Sequence, residues 1–193
     1  MHIDKKLNDL VINLLKTKIP PRYYYHNYEH TLYVIDKVIE IGSQENCSAR
    51  ELQLLSVAAL WHDTGYINTY AGHEEESCRL ARQYLPGYAF TNVDINKICG
   101  MIMATKIPQS PQNKPEEIIA DADLEYLGTN NAAVQAKNLF KELNAINPLL
   151  TMQDWNKIEI DFLTAHHYFT DYCKAKKEHI KQAYLKSLIN NKV

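Results

Sequence analysis

The chain has no long apolar run, no paired-cysteine pattern, no strong charge imbalance and no strand-like alternation, and each absence narrows what it can be. No stretch reaches the roughly 18 apolar residues of a membrane span, so none is expected. The opening Met1-His-Ile-Asp-Lys-Lys6 begins an amphipathic pattern rather than a secretory signal. The four cysteines, Cys47, Cys78, Cys99 and Cys173, are far apart and form no Cys-x-x-Cys. That argues against a zinc ribbon or a small disulfide scaffold and fits a reducing cytoplasm. A formal net charge of −2 supplies no global drive towards nucleic acid, and the run Lys174-Ala-Lys176-Lys177 reads as a solvated helix face. With no linker or repeat in sight, 193 residues at 46% hydrophobic and 23% charged are expected to form a single domain, residues 1–193, with a sizeable core.

What is present is helical patterning throughout, so the expected fold class is all-α. Ile3, Leu7, Leu10, Val11, Leu14 and Leu15 recur at spacings of three and four, the stripe of an amphipathic helix that ends before Pro20-Pro21. Leu32, Val34, Ile35, Val38, Ile39 and Ile41 predict a second helix that starts near Tyr28, stops at Gly42-Ser43 and holds His26 and His30 in its first turns. Ser48-Ala-Arg-Glu51 has the form of a capping box ahead of the apolar run Leu52 to Trp61, which places His62-Asp63 in the last turn of a buried helix. Further helices are predicted near 73–85, 91–105, 115–127, 131–145, 152–167 and 171–190, with Pro86-Gly87 and the Pro108 to Pro115 segment as breaks.

The residues that could carry chemistry fall at the ends of these helices. His62-Asp63 alone means little, since with 8 His and 10 Asp about 0.4 such pairs are expected by chance. Its context adds weight. Imidazole and carboxylate together suit divalent ions such as Zn, Mn, Fe or Co. His26 and His30, four apart, would project from one helix face, although a capping His26 and a hydrogen-bonded core His30 explain the same spacing. Asp121 and Asp123 interrupt a segment that otherwise reads as buried, where carboxylates are costly unless paired or metal-bound.

The order His30, His62-Asp63, Asp123 resembles the signature of the HD-domain superfamily of metal-dependent phosphohydrolases. Tyr25-His26-Asn27-Tyr-Glu-His30-Thr31, the apolar run into His62-Asp63, Glu74-Glu-Glu-Ser77 and Asp121-Ala-Asp123-Leu124 followed by Leu127-Gly128 resemble an uncharacterised branch of it, over about residues 22 to 128. The resemblance implies an HD-domain-like helical bundle in which His30, His62, Asp63 and Asp123 bind a divalent transition ion (Mn, Fe, Zn, Co or Ni), with Mg conceivable at a second site. The superfamily ligand is usually an acid followed by Leu or Arg, which selects Asp123-Leu124. Asp121 or Asp63 would then orient the attacking water. The opening motif is also similar to that of cyclic-nucleotide phosphodiesterases, where the first histidine protonates the leaving group. His26 is the corresponding residue, and an imidazole titrates near working pH.

The implied activity is hydrolysis of a small phosphorylated substrate, with a nucleotide as one candidate. A non-catalytic nucleotide- or metal-binding sensor and a di-iron oxygenase of the same fold are the alternatives. His73 could serve a second ion, but where such members carry another histidine this chain has Thr105-Lys106-Ile107. Lys106 could contact a substrate phosphate or sit at a solvated helix end. Tyr25, among Tyr23, Tyr24, Tyr28 and Tyr33, could stack on a nucleobase or close the packing. Glu74 to Glu76 reads as the acidic first turn of a helix, and His166-His167 as packing or cleft rim.

Overall fold

The computed structural model describes residues 3–190. It is all-helical: among the described residues there are ten α-helices, three short 3-10 turns and no strand. Side-chain caps set most of the helix starts. Asp4 caps α1 (Lys5–Lys18) by accepting from the Lys6 and Leu7 amides, and Asn27 caps α2 (Tyr28–Gln44) by accepting from Glu29 and His30. Reciprocal capping boxes open α3 (Ala49–Trp61) with Ser48 and Glu51, and α5 (Asn92–Met103) with Thr91 and Asp94. Each box satisfies two amide groups that a helix start leaves without partners. Between them lies α4 (His73–Tyr84), whose first turn carries Glu74, Glu75 and Glu76, as its dipole favours.

Asn113 caps α6 (Lys114–Asp123), and α7 (Ala132–Ile146) and α8 (Met152–Ala165) follow, α8 opened by a third capping box from Thr151 and Asp154. The last stretch is broken into α9 (Asp171–Lys176) and α10 (Glu178–Asn190) at Lys177 rather than running on as one helix. Gly128 explains the close approach there, because a Cβ on it would lie 2.8 Å from the Lys177 carbonyl oxygen. The predicted 115–127 helix likewise ends early, at Asp123, and the chain turns through a 3-10 segment at Glu125–Gly128.

Helix α3 is the axis of the main core. Every residue from Leu54 to Trp61 is buried, and the helix packs against α2, α5 and α6. Leu7, Val11 and Leu15 of α1, Val34, Val38 and Ile41 of α2, and Ile98 and Ile102 of α5 belong to the same cluster. A second, smaller cluster joins Tyr25, Leu124, Tyr126 and Leu127 to Leu163 of α8 and Leu185 of α10. Burial on this scale, at about 25 cal/mol per Å² of apolar surface, drives the folding, and most of the polar side chains left inside find partners. No helix among the described residues is long and apolar enough to cross a membrane.

Candidate metal centre and active-site cavity

The ends of three helices deliver four ligand-type side chains to one place. His30 comes from the first turn of α2, His62 and Asp63 from the frayed end of α3, and Asp123 from the last residue of α6. His30 Nε2 lies 2.9 Å from Asp123 Oδ1 and 3.4 Å from His62 Nε2. Asp63 Oδ2 is 3.2 Å from His62 Nε2 and 3.6 Å from His30 Nε2. The ligand atoms of His30, His62 and Asp123 all fall within 4.8 Å of one another.

Two local features hold this arrangement. His62 Nδ1 is 2.8 Å from the Ala59 carbonyl, which can only accept, so Nδ1 carries the hydrogen and Nε2 is presented to the cluster. The Ser77 hydroxyl donates to the His62 carbonyl at 2.6 Å and accepts from the Gly65 amide at 2.8 Å, clamping the turn after Asp63. Gly65 is required at that clamp, since a Cβ there would stand 2.0 Å from the His73 carbonyl oxygen. The Glu-x-x-Ser segment noted in the sequence is therefore a brace for the His-Asp turn.

The electrostatics call for a cation. Asp63 Oδ2 is buried and makes no hydrogen bond. Burial opposes a charge on His62, yet the Asp63 and Asp123 carboxylates outweigh it and raise the imidazole well above its usual range. Burial would raise Asp63 and Asp123 too, but the facing imidazoles hold both below the usual carboxylate range. The two buried carboxylates thus favour positive charge at this point. Two imidazole nitrogens with two carboxylates are a donor set that a divalent transition ion fits.

His26 stands beside this cluster, but the helix-face expectation for it needs correction. Asn27, not a residue further back, caps α2, so His26 precedes the helix in a bend, across which the Asn27 amide donates to the Tyr25 carbonyl. It is held instead by Glu142 of α7, which the sequence reading did not single out. Glu142 is fully buried; its Oε1 is 2.5 Å from His26 Nδ1 and accepts from the Tyr70 hydroxyl at 3.1 Å. Its Oε2 accepts from the Tyr25 and His26 amides at 2.9 and 3.0 Å. Burial disfavours a charge on His26, but the hydrogen bond it donates to Glu142, with the nearby carboxylates, prevails and raises its pKa. Nε2 is left as the nitrogen available to a substrate.

Asp121 is the second correction. It does not face the cluster and cannot orient water there: it is fully buried on the opposite side of α6, accepting from the Phe169 and Thr170 amides at 2.8 Å each and from the Thr170 hydroxyl at 2.6 Å. Residues two apart on a helix diverge in direction, and the fold uses one for each side.

The cluster opens into a cavity of about 560 Å³ lined by Tyr25, His26, Asp63, His73, Lys106 and Asp123, among others. Tyr25 packs its ring 4.7 Å from those of both His26 and His30. Tyr66 and Tyr70, also missed in the sequence, line it as well, and His73 stacks on Tyr66 at 3.9 Å with Nε2 3.7 Å from Asp63 Oδ1. Lys106 is at the wall with its ammonium on Glu75 of α4. Of the other tyrosines, Tyr23 packs edge-on against Tyr66 and Tyr70, and the Tyr33 hydroxyl donates to Glu125. His166 lies outside the cavity, bonded through Nδ1 to buried Lys181 at 3.1 Å.

Residues 27–125 match the HD domain family. The chain belongs to that family. No curated protein matches it. Two solved structures share the fold of this chain. A predicted HD superfamily hydrolase from an uncultured Thermotogales bacterium is 20% identical, with 97% of this chain and 89% of that one covered at a TM-score of 0.63. Bacillus subtilis YpgQ, solved in complex with ADP, is 16% identical, with 96% and 95% covered at the same TM-score. The HD region holds all four cluster residues; Glu142 lies beyond it, on α7.

Proposed function

We propose that this chain is a single-domain, metal-dependent phosphohydrolase that cleaves a small phosphate ester. The observation that carries the reading is the pairing of a buried His30–His62–Asp63–Asp123 cluster with a carboxylate-held imidazole, His26, on the wall of one cavity. A divalent transition ion held by those four side chains would make bound water acidic enough to supply hydroxide near neutral pH and would offset charge on phosphoryl oxygens. Asp63 has a second carboxylate oxygen facing His73, suited to orient the attacking water. His26 gives a proton from Nε2 to the leaving oxygen, and Glu142 at Nδ1 steadies the ring and keeps it charged until then. The ADP in the Bacillus subtilis structure belongs to that protein and makes nucleotides one class to assay here.

The test is elemental analysis of the purified protein, joined to a screen of phosphomonoesters, diesters and nucleotides with Mn, Mg, Co, Ni and Zn. About one tightly bound ion per chain and metal-dependent phosphate release are expected, and His62→Ala or Asp63→Ala removes both. Hydrolysis that survives chelation, or full metal retention in both variants, overturns the assignment.

A further inference from the structure

The cavity beyond the metal cluster is built of hydrocarbon. Leu127 of the 125–128 turn, Leu139 and Leu143 of α7, and Trp155, Ile158 and Phe162 of α8 line it. Positive charge is scarce. Among the described residues, Lys106 is the one lysine or arginine that lines the cavity, and its ammonium is already on Glu75. Apart from His26, His73 and the cluster carboxylates, the other ionisable lining groups are Glu74 at the start of α4 and Glu159 on α8, whose carboxyl group accepts from the Tyr184 hydroxyl at 2.5 Å. Burial pushes Glu159 upward, and neither it nor Glu74 offers a further phosphate a positive charge.

A phosphate monoester near neutral pH carries close to two negative charges. A divalent ion at the cluster is already offset by the Asp63 and Asp123 carboxylates, so with the His26 imidazolium it can serve one phosphoryl group and leaves no positive charge over for a second. A second or third phosphate would enter a chamber with carboxyl groups and leucines for company, and an unpaired buried charge is expensive. An alkyl or aryl group gains free energy from the same walls in proportion to the surface it buries.

We infer that the substrate of this site is the monophosphate ester of an apolar alcohol or phenol, its organic group seated between α7 and α8, rather than a nucleoside polyphosphate. The inference rests on the phosphohydrolase reading above and adds the substrate class. Water adds to phosphorus, the ester P–O bond breaks, and the alcohol departs with the proton from His26, leaving inorganic phosphate.

The experiment is a homologous series, ethyl to octyl phosphate, assayed on the metal-loaded protein beside 1-naphthyl phosphate, AMP, ADP and ATP, with binding of the same compounds measured by calorimetry. kcat/KM is expected to rise about three- to fourfold for each added methylene until the chamber is full. Ile158 is 48% exposed, so Ile158→Lys is compatible with the fold; it should flatten the series and improve ADP relative to octyl phosphate. Ala136→Leu, which fills the chamber from α7, should move the plateau to a shorter chain. A series that is hydrolysed with no dependence on chain length, or a preference for ADP and ATP, overturns this inference and leaves the phosphohydrolase reading standing. Chain-length-dependent binding with no hydrolysis of any ester under any metal supports the chamber and defeats the phosphohydrolase reading.

Discussion

Glu142→Gln isolates the group that holds His26. The substitution preserves shape and removes the charge. As a carboxylate, Glu142 takes four hydrogens, two from backbone amides at Oε2 and two from His26 Nδ1 and the Tyr70 hydroxyl around Oε1. A glutamine that keeps its oxygen towards the amides turns its NH₂ towards His26 Nδ1, which then has to accept. The imidazolium thereby loses a charge-assisted hydrogen bond worth about 1.5–3 kcal/mol, equivalent to about one to two units of pKa. The sign follows from the raised pKa of His26: the acid is protonated below that value, and its contribution is lost as pH rises through it. In the variant the alkaline limb of kcat/KM should move down by about one to two pH units. Turnover at pH 8 should fall by about 10–100-fold on an alkyl phosphate and much less on p-nitrophenyl phosphate, whose leaving oxygen needs little protonation. Metal content, measured in parallel, should not change. An unmoved alkaline limb, equal losses on the two esters, or loss of the ion would refute the positioning role of Glu142.

Asp123→Asn should release metal with little loss of stability. Asp121→Asn should retain metal but lower unfolding free energy by about 1–3 kcal/mol, because three donors from Phe169 and Thr170 lose a charged acceptor; denaturant melts with elemental analysis read both, and the opposite ranking would exchange their places. Gly65→Ala should cost roughly 3 kcal/mol or more, since the new Cβ meets the His73 backbone and not a movable side chain, and a change under 1 kcal/mol would show that the clamp yields. His166 is pushed down to about 3 by burial and by the neighbouring Lys181 ammonium, so it stays neutral in the fold while the unfolded chain takes up a proton below about pH 6.5. The unfolded state then binds more protons between pH 6.5 and 3, and stability should fall on acidification by up to about 1.4 kcal/mol per unit, with a shallower slope in His166→Gln measured by urea titration across pH 6 to 4.

The helices and most of their starts could be read from the chain because they depend on neighbours three and four residues away. Ser48 with Glu51, the Leu7–Val11–Leu15 stripe and the buried run into Trp61 are local patterns, and the structure keeps them. The HD family was legible for the same reason, its motif residues lying at characteristic places along the chain. Where a prediction failed, a distant contact had the deciding part. His26 left the helix because Asn27 captured the cap and because Glu142, 116 residues later, captured the imidazole. Asp121 turned to the Phe169–Thr170 amides 48 and 49 residues away, a pairing that no spacing along the chain encodes. One trace of Glu142 was present: it falls three residues after Leu139 and just before Leu143, a carboxylate on an apolar helix stripe. Such a residue announces that it needs a buried partner, but only the approach of α7 to the Tyr25–His26 segment determines which. The cavity walls had no sequence signal of their own, since Leu139, Leu143 and Phe162 look like ordinary core positions until the bundle leaves a space between them.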